Sequence, residues 1–148
     1  MFETTAQPSS FLSPDRVIGR LDIKKGMTVA DFGAGSGFYT IPLARLVGET
    51  GIVYAVDIQK ENLDLIKSKA SLEHLLQVES VWADLEFPEG SHLKAGSVDL
   101  VVISNILFQV EEKEAVVREA YRVLKSGGIV AVVEWDEAPF LGGPPRRM

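Results

Sequence analysis

The chain has 148 residues, 46% hydrophobic and 24% charged, and its 15 basic and 21 acidic side chains give a net charge of −6. That length fits one domain with a real core, and the acidic balance argues against a protein that grips nucleic-acid phosphates, which needs a basic patch. With no cysteine, a disulfide scaffold, a thiolate zinc site and a cysteine nucleophile are all excluded.

No segment approaches the ~18 apolar residues of a membrane span. The N-terminus has Glu3 where a signal peptide carries positive charge, so the chain is expected to be cytoplasmic. Residues 1–13 read as a flexible N-terminal segment and 14–148 as the folded domain.

Ser13-Pro14-Asp15 is a helix start signal, with a capping hydroxyl, a proline at the first position and an early acid. Val17, Ile18 and Leu21 then predict a short helix over 14–21. After a turn at Lys24-Lys25-Gly26, the run from Met27 to Phe32 predicts a strand. A helix is expected over 38–47, on the spacing of Ile41, Ala44 and Leu46, with a break at Gly48–Gly51. The alternation repeats: a strand over 52–56 ending at Asp57, a helix over 60–71, a strand over 78–82, and a long polar connection at 84–97. A strand over 98–103, an amphipathic helix over 111–124 and a strand over 128–135 complete it. Near-continuous Val/Ile runs separated by helices mean strands buried on both faces. That is the mark of a parallel sheet in an α/β fold, with the ligand crevice at the carboxyl ends of its strands.

The informative segment is Asp31-Phe32-Gly33-Ala34-Gly35-Ser36-Gly37-Phe38, where a strand hands over to a helix. A phosphate loop would need Gly-Lys-Ser/Thr, and Phe38 follows Gly37 instead. A dinucleotide loop would need its third glycine where Phe38 stands. Asp31, read as facing the crevice from the strand end, would repel a pyrophosphate and welcome a cationic ligand. The sulfonium and ammonium of S-adenosylmethionine answer to that description. Asp57, twenty residues beyond Gly37, stands where an acid accepts hydrogen bonds from an adenosine ribose.

On these residues the chain resembles the class I S-adenosylmethionine-dependent methyltransferases, in particular the small-molecule enzymes of ubiquinone and menaquinone biosynthesis. The resemblance rests on the D-x-G-x-G-x-G turn, the strand-ending Asp57, Ala83-Asp84-Leu85, Val98-Asp99-Leu100 and Arg122-Val123-Leu124-Lys125-Ser126-Gly127-Gly128. It implies a three-layer αβα Rossmann-like fold and S-adenosylmethionine as cofactor. Asp31 with Gly33, Ala34, Gly35 and Gly37 would then hold the methionine end. Asp57 and Ile58 would meet the ribose side and Asp84 with Leu85 the adenine, while Ser104 and Asn105 would line the place where cofactor and acceptor meet. Ser126 stands in place of a common proline, and Phe108-Gln109 where relatives often carry histidine. The family continues beyond its fifth strand, whereas this sequence ends at Met148. The expected sheet therefore lacks strands 6 and 7, and its fifth strand is expected to offer an open edge suited to homo-oligomer formation.

Plainer roles stand beside these. Asp57 also suits a helix cap, Asp84 an exposed loop, and Glu111 to Glu114 a solvated helix start. His74 and His92 read as surface histidines, and Trp82, Phe108 and Trp135 as packing residues. The expected activity is methyl transfer to a small-molecule acceptor, which needs positioning more than a dedicated base. The rival readings are an S-adenosylmethionine-binding module without catalysis and an NAD-dependent oxidoreductase.

Overall fold

A computed structural model describes residues 2–7, 13–104, 106–107 and 109–135, with side chains described from Ser13 to Val133. Its elements are β1 (Phe2–Gln7), α1 (Pro14–Ile18), β2 (Thr28–Phe32), α2 (Thr40–Val47), β3 (Ile52–Asp57), α3 (Lys60–Leu72), β4 (Val78–Trp82), β5 (Val98–Ser104), α4 (Lys113–Val123) and β6 (Leu124–Trp135). The sheet runs β1-β6-β5-β2-β3-β4, and every neighbouring pair is parallel.

Strand parity sorts the core into two layers, because alternate residues face opposite sides of a sheet. Val29, Val53, Val102 and Val133 share one cluster with Val17 and Ile18 of α1 and Leu43 and Val47 of α2. On the same side, Ala55 packs with Leu63 and Ile66 of α3. Ala30, Phe32, Val101, Ile103 and Val132 face the other way, onto Val116, Ala120 and Val123 of α4. In α2 the buried residues are Thr40, Ile41, Leu43, Ala44 and Val47, and Leu46, expected on the inner face, is exposed. The α/β architecture and the five strands expected from the Val/Ile runs are present. The connection from β4 to β5 is irregular, as its polar sequence predicts, and α4 holds it down. Arg122 donates to Glu119 at 2.7 Å from both Nε and Nη2 and to the Leu93 carbonyl at 2.7 Å, while Glu119 accepts the Ser91 amide and hydroxyl.

Two expectations are corrected at the sheet edge. Residues 2–7, read as part of a flexible segment, form β1, in register with β6 from Phe2↔Val130 to Gln7↔Trp135. The fifth expected strand, here β6, is therefore not an open edge, and the argument for homo-oligomer formation through it falls. The physical cause is the edge itself. Unpaired N–H and C=O groups along β6 template any extended segment within reach, and the β-branched Thr4 and Thr5 suit that conformation. Residues 8–12 and 136–148, including the remaining loose stretches of the two termini, lie outside the described residues.

The chain places β3 and β4 on one side of β2, then crosses to place β5 and β6 on the other. This reversal opens a crevice above the carboxyl ends of β2, β3 and β5. The glycine turn lies there.

Candidate functional site

A cavity of about 400 Å³ occupies that crevice. Its floor is the turn Gly33-Ala34-Gly35-Ser36, and Asp57 and Ile58 close one side at the end of β3. Ala83, Asp84, Leu85 and Glu86 form a second wall after β4. Ser104, Ile106, Gln109 and Val110, following β5, form the third. Eight of the eleven candidates thus meet in one cavity: Gly33, Ala34, Gly35, Asp57, Ile58, Asp84, Leu85 and Ser104.

Asp57 is the best-anchored of them. Its Oδ2 accepts the Gly35 amide at 2.8 Å, and its Oδ1 accepts the Gln59 amide at 2.8 Å and, more weakly, Asn62 Nδ2 at 3.4 Å. A carboxylate has about four acceptor sites, and three are used, so Oδ2 keeps one free for a ligand and the long Asn62 bond leaves Oδ1 a second that is weakly held. The Gly35 bond also removes from the turn an amide that a pyrophosphate would need. Asp84 is similarly held: its Oδ1 accepts the Glu86 amide at 2.9 Å, which builds the tight turn after β4. Trp82 is rim rather than core, and its Nε1–H donates to the Ile58 carbonyl at 2.8 Å while the Lys60 ammonium lies 5.4 Å from its ring centre.

Three candidates stand apart from the cavity wall. Gly37 faces α3, where an added Cβ would come within 3.1 Å of Ile66 Cγ1; it permits helix packing rather than ligand approach. Asn105 lies outside the described residues, as does Phe108. Asp31 requires a correction. Its carboxylate does not face the crevice but is wholly buried beneath the glycine turn, where its Oδ2 accepts the Thr40 hydroxyl at 2.6 Å. Asp31 has the strand parity of Val29, whose side chain faces α2, and the start of α2 roofs it over. Burial raises its pKa to about 7, against the lowering effect of Thr40 and with a smaller push from Asp57. Among the described residues its Oδ1 has no hydrogen-bond partner.

The electrostatic preference assigned to Asp31 belongs instead to the cavity wall, which carries Asp57, Asp84 and Glu86 and no basic side chain among the described residues. Such a wall favours a cation over a pyrophosphate. Histidine is absent from the described wall, and the described residues hold no cluster of metal-ligating side chains. The sequence reading missed Tyr39, Gln59, Asn62, Glu86 and Val110, and noted Gln109 only as standing where relatives often carry histidine. Only Asn62 left a local trace, at helical reach from the strand-ending acid.

Residues 30–132 match the family model of the methyltransferase domain. The chain is 36% identical over 119 residues to the ubiquinone/menaquinone biosynthesis C-methyltransferase UbiE of Escherichia fergusonii, covering 78% of this chain and 45% of that protein. It is 33% identical over 124 residues to a demethylmenaquinone methyltransferase of Oceanobacillus iheyensis, covering 83% and 50%. The chain thus spans about half the length of these two relatives. A crystal structure of a SAM-dependent methyltransferase from Aquifex aeolicus superposes with a TM-score of 0.76 at 32% identity, covering 89% of this chain and 69% of that one. The chain belongs to the methyltransferase-domain family, in its class I S-adenosylmethionine-dependent branch.

Proposed function

We propose that this family member binds S-adenosylmethionine in the cavity above β2, β3 and β5 and transfers its methyl group to a small-molecule acceptor. The observation that carries the reading is the Asp57 carboxylate, fixed by the Gly35 and Gln59 amides in a cavity walled by acids. A fixed carboxylate at the end of the second core strand accepts from the paired hydroxyls of a ribose, and its acidic surroundings favour a cationic donor. The residues present fit that cofactor, because Asp57 keeps an acceptor site in a cavity whose wall carries Asp84 and Glu86 and no basic side chain among the described residues.

In this reading Asp57 and Ile58 serve the ribose side, and Ala83, Asp84 and Leu85 the adenine. The turn from Gly33 to Gly35 supports the methionine end, and Ser104 and Asn105 flank the acceptor. When bound, the cofactor supplies an electrophilic methyl carbon on a sulfonium. The chain's task is to hold the nucleophile in line with that carbon and to exclude water. Ile106, Val110 and Phe38 give the cavity part of an apolar lining, which suits a hydrophobic acceptor of the kind that the names of the two relatives, with their ubiquinone, menaquinone and demethylmenaquinone, point to. We place the protein in the cytoplasm, with a folded domain that takes in β1 as well as the elements from α1 to β6, and no nucleic acid among its acceptors. In support, no helix among the described residues is long and apolar enough to cross a membrane.

Calorimetry with S-adenosylhomocysteine and NADH tests the reading. Micromolar binding of the first, none of the second, and a loss of about 10-fold or more in Asp57→Ala are expected, since hydrogen bonds to a charged group are at stake. Tight NADH binding would overturn it, and cofactor binding without turnover of any quinol acceptor would leave a binding module.

A further inference from the structure

Trp82 lies beside the cavity without lining it. It ends β4, the edge strand of the sheet, directly across the ladder from Asp57, and it is 63% exposed. Its Nε1–H, the only polar group of an indole, donates to the Ile58 carbonyl at 2.8 Å, and the Lys60 ammonium lies 5.4 Å from the ring centre. That carbonyl belongs to the same peptide unit as the Gln59 N–H, which donates to Asp57 Oδ1 at 2.8 Å. A single planar peptide therefore joins the indole to the carboxylate. The unit is trans, so its C=O and N–H point in opposite directions, and holding one holds the other.

We infer that Trp82 is a positioning residue for Asp57, holding the Ile58–Gln59 peptide so that its amide keeps the carboxylate oriented for the ribose. This peptide comes just after β3 ends at Asp57, where the strand ladder no longer sets its plane, and the indole sets it instead. Chained hydrogen bonds polarise one another, so a donor on the carbonyl also strengthens the bond that the amide makes. With the Gly35 amide on Oδ2, both carboxylate oxygens are gripped. The acceptor site left on Oδ2 is then ordered before a ligand arrives, which spares the binding step that cost. The Lys60 ammonium, drawn to the ring face, steadies the indole in turn. This role rests on the ribose reading of Asp57 above and adds a residue outside the cavity wall that acts on it.

Trp82→Phe keeps a ring for Lys60 and deletes the N–H. Calorimetry with S-adenosylhomocysteine on the wild type, Trp82→Phe, Asp57→Ala and the double variant closes a cycle that separates the two residues. Trp82→Phe should weaken binding by about 3- to 10-fold when Asp57 is present and by less than about two-fold in the Asp57→Ala background. A loss below about three-fold beside Asp57, or an equal loss in both backgrounds, would overturn the assignment, since a side chain that merely props up the wall through Ile58 acts whether or not the carboxylate is there. A second arm needs no ligand. Hydrogen exchange at the Gln59 amide should speed up by about five-fold or more in Trp82→Phe, while the Ala83 amide, which donates to the Asp57 main-chain carbonyl at 3.1 Å, keeps its rate. Unchanged exchange at Gln59, or equal acceleration at both amides, would again overturn it. If the donor-site reading itself is wrong, the wild type does not bind S-adenosylhomocysteine at all, an outcome distinct from these, and the ribose part of the assignment falls with it while the exchange arm still decides whether Trp82 holds the peptide.

Discussion

Asp31→Asn should make the cofactor-free protein more stable above neutral pH and remove a slope from its stability curve. The wild-type carboxyl is fully buried and its pKa is raised from 3.8 to about 7. In the unfolded chain this group ionises near pH 4, whereas the native protein holds the proton until about pH 7. The unfolded state therefore gains on the native state as pH rises between these values, and stability falls across that window and is flat above it. A difference of about 3 units at 1.36 kcal/mol each corresponds to roughly 4 kcal/mol. Asparagine keeps an oxygen for the Thr40 hydroxyl and does not titrate, but its amide adds a donor that costs ~1–3 kcal/mol if it is left unpaired. The net gain at pH 8 is then about 1–3 kcal/mol. Urea unfolding at fixed ionic strength between pH 5 and 8, with wild type minus variant taken at each pH, isolates this group from the other carboxyls. A difference that does not change with pH would refute the reasoning. Saturating S-adenosylhomocysteine should flatten the wild-type slope, since an ammonium beside Asp31 favours the carboxylate, and wild-type affinity for it should rise with pH toward 7.

Two further changes test how the turn and its cover are held. At Gly33, φ is +74° and an added Cβ would come within 3.0 Å of two Ile106 side-chain atoms, so Gly33→Ala should cost ~2 kcal/mol or more in unfolding free energy and weaken S-adenosylhomocysteine binding by displacing the segment after β5. Glu86 Oε1 accepts the amides of Glu111 and Glu112 at 2.9 Å each, just ahead of α4, whose own N-cap residue makes no side-chain cap. Glu86→Ala should accelerate hydrogen exchange at those two amides and lower stability by ~1–2 kcal/mol, while Glu86→Gln, which retains an acceptor oxygen, should restore most of the protection. Unchanged exchange in the alanine variant would show that the clasp is idle.

What could be read from the sequence was local. The Val/Ile runs that became β2, β3, β5 and β6 and the glycine turn after Phe32 announce themselves within ten residues, because period and turn chemistry act at that range. Asp57 was legible for the same reason, since a strand end followed by a helix start defines its place. Leu46 apart, the misses are non-local. Strand parity puts Asp31 on the α2 face, but its depth depends on where the start of α2 comes to rest, and Thr40 and the turn above it decide that. Pairing of β1 with β6 joins residues more than 120 positions apart, and the open edge rather than any pattern in Phe2–Gln7 drives it. Glu86 caps a helix 25 residues downstream. Tyr39 carries no signal in the sequence, and only the structure shows its buried hydroxyl without a hydrogen-bond partner among the described residues.

Two of those failures, Asp31 and Tyr39, sit at the glycine turn, and they share a cause. A sequence pattern reports what a residue does for the fold, and each of the non-local misfits at the turn is unfavourable to the isolated chain. Asp31 is buried at a pH where it is half-ionised, and Tyr39 withholds its hydroxyl from every described neighbour. Natural sequences retain such features where a missing partner repays them on binding. The turn's chemistry sorts by the same logic. Its Gly35 amide is already committed to Asp57, and the cavity wall around it carries three acids and no basic side chain among the described residues. A polyanion finds little to bind there. A ligand that joins a ribose to a cationic centre suits that wall better, since Asp57 keeps an acceptor site for the one and the acids attract the other.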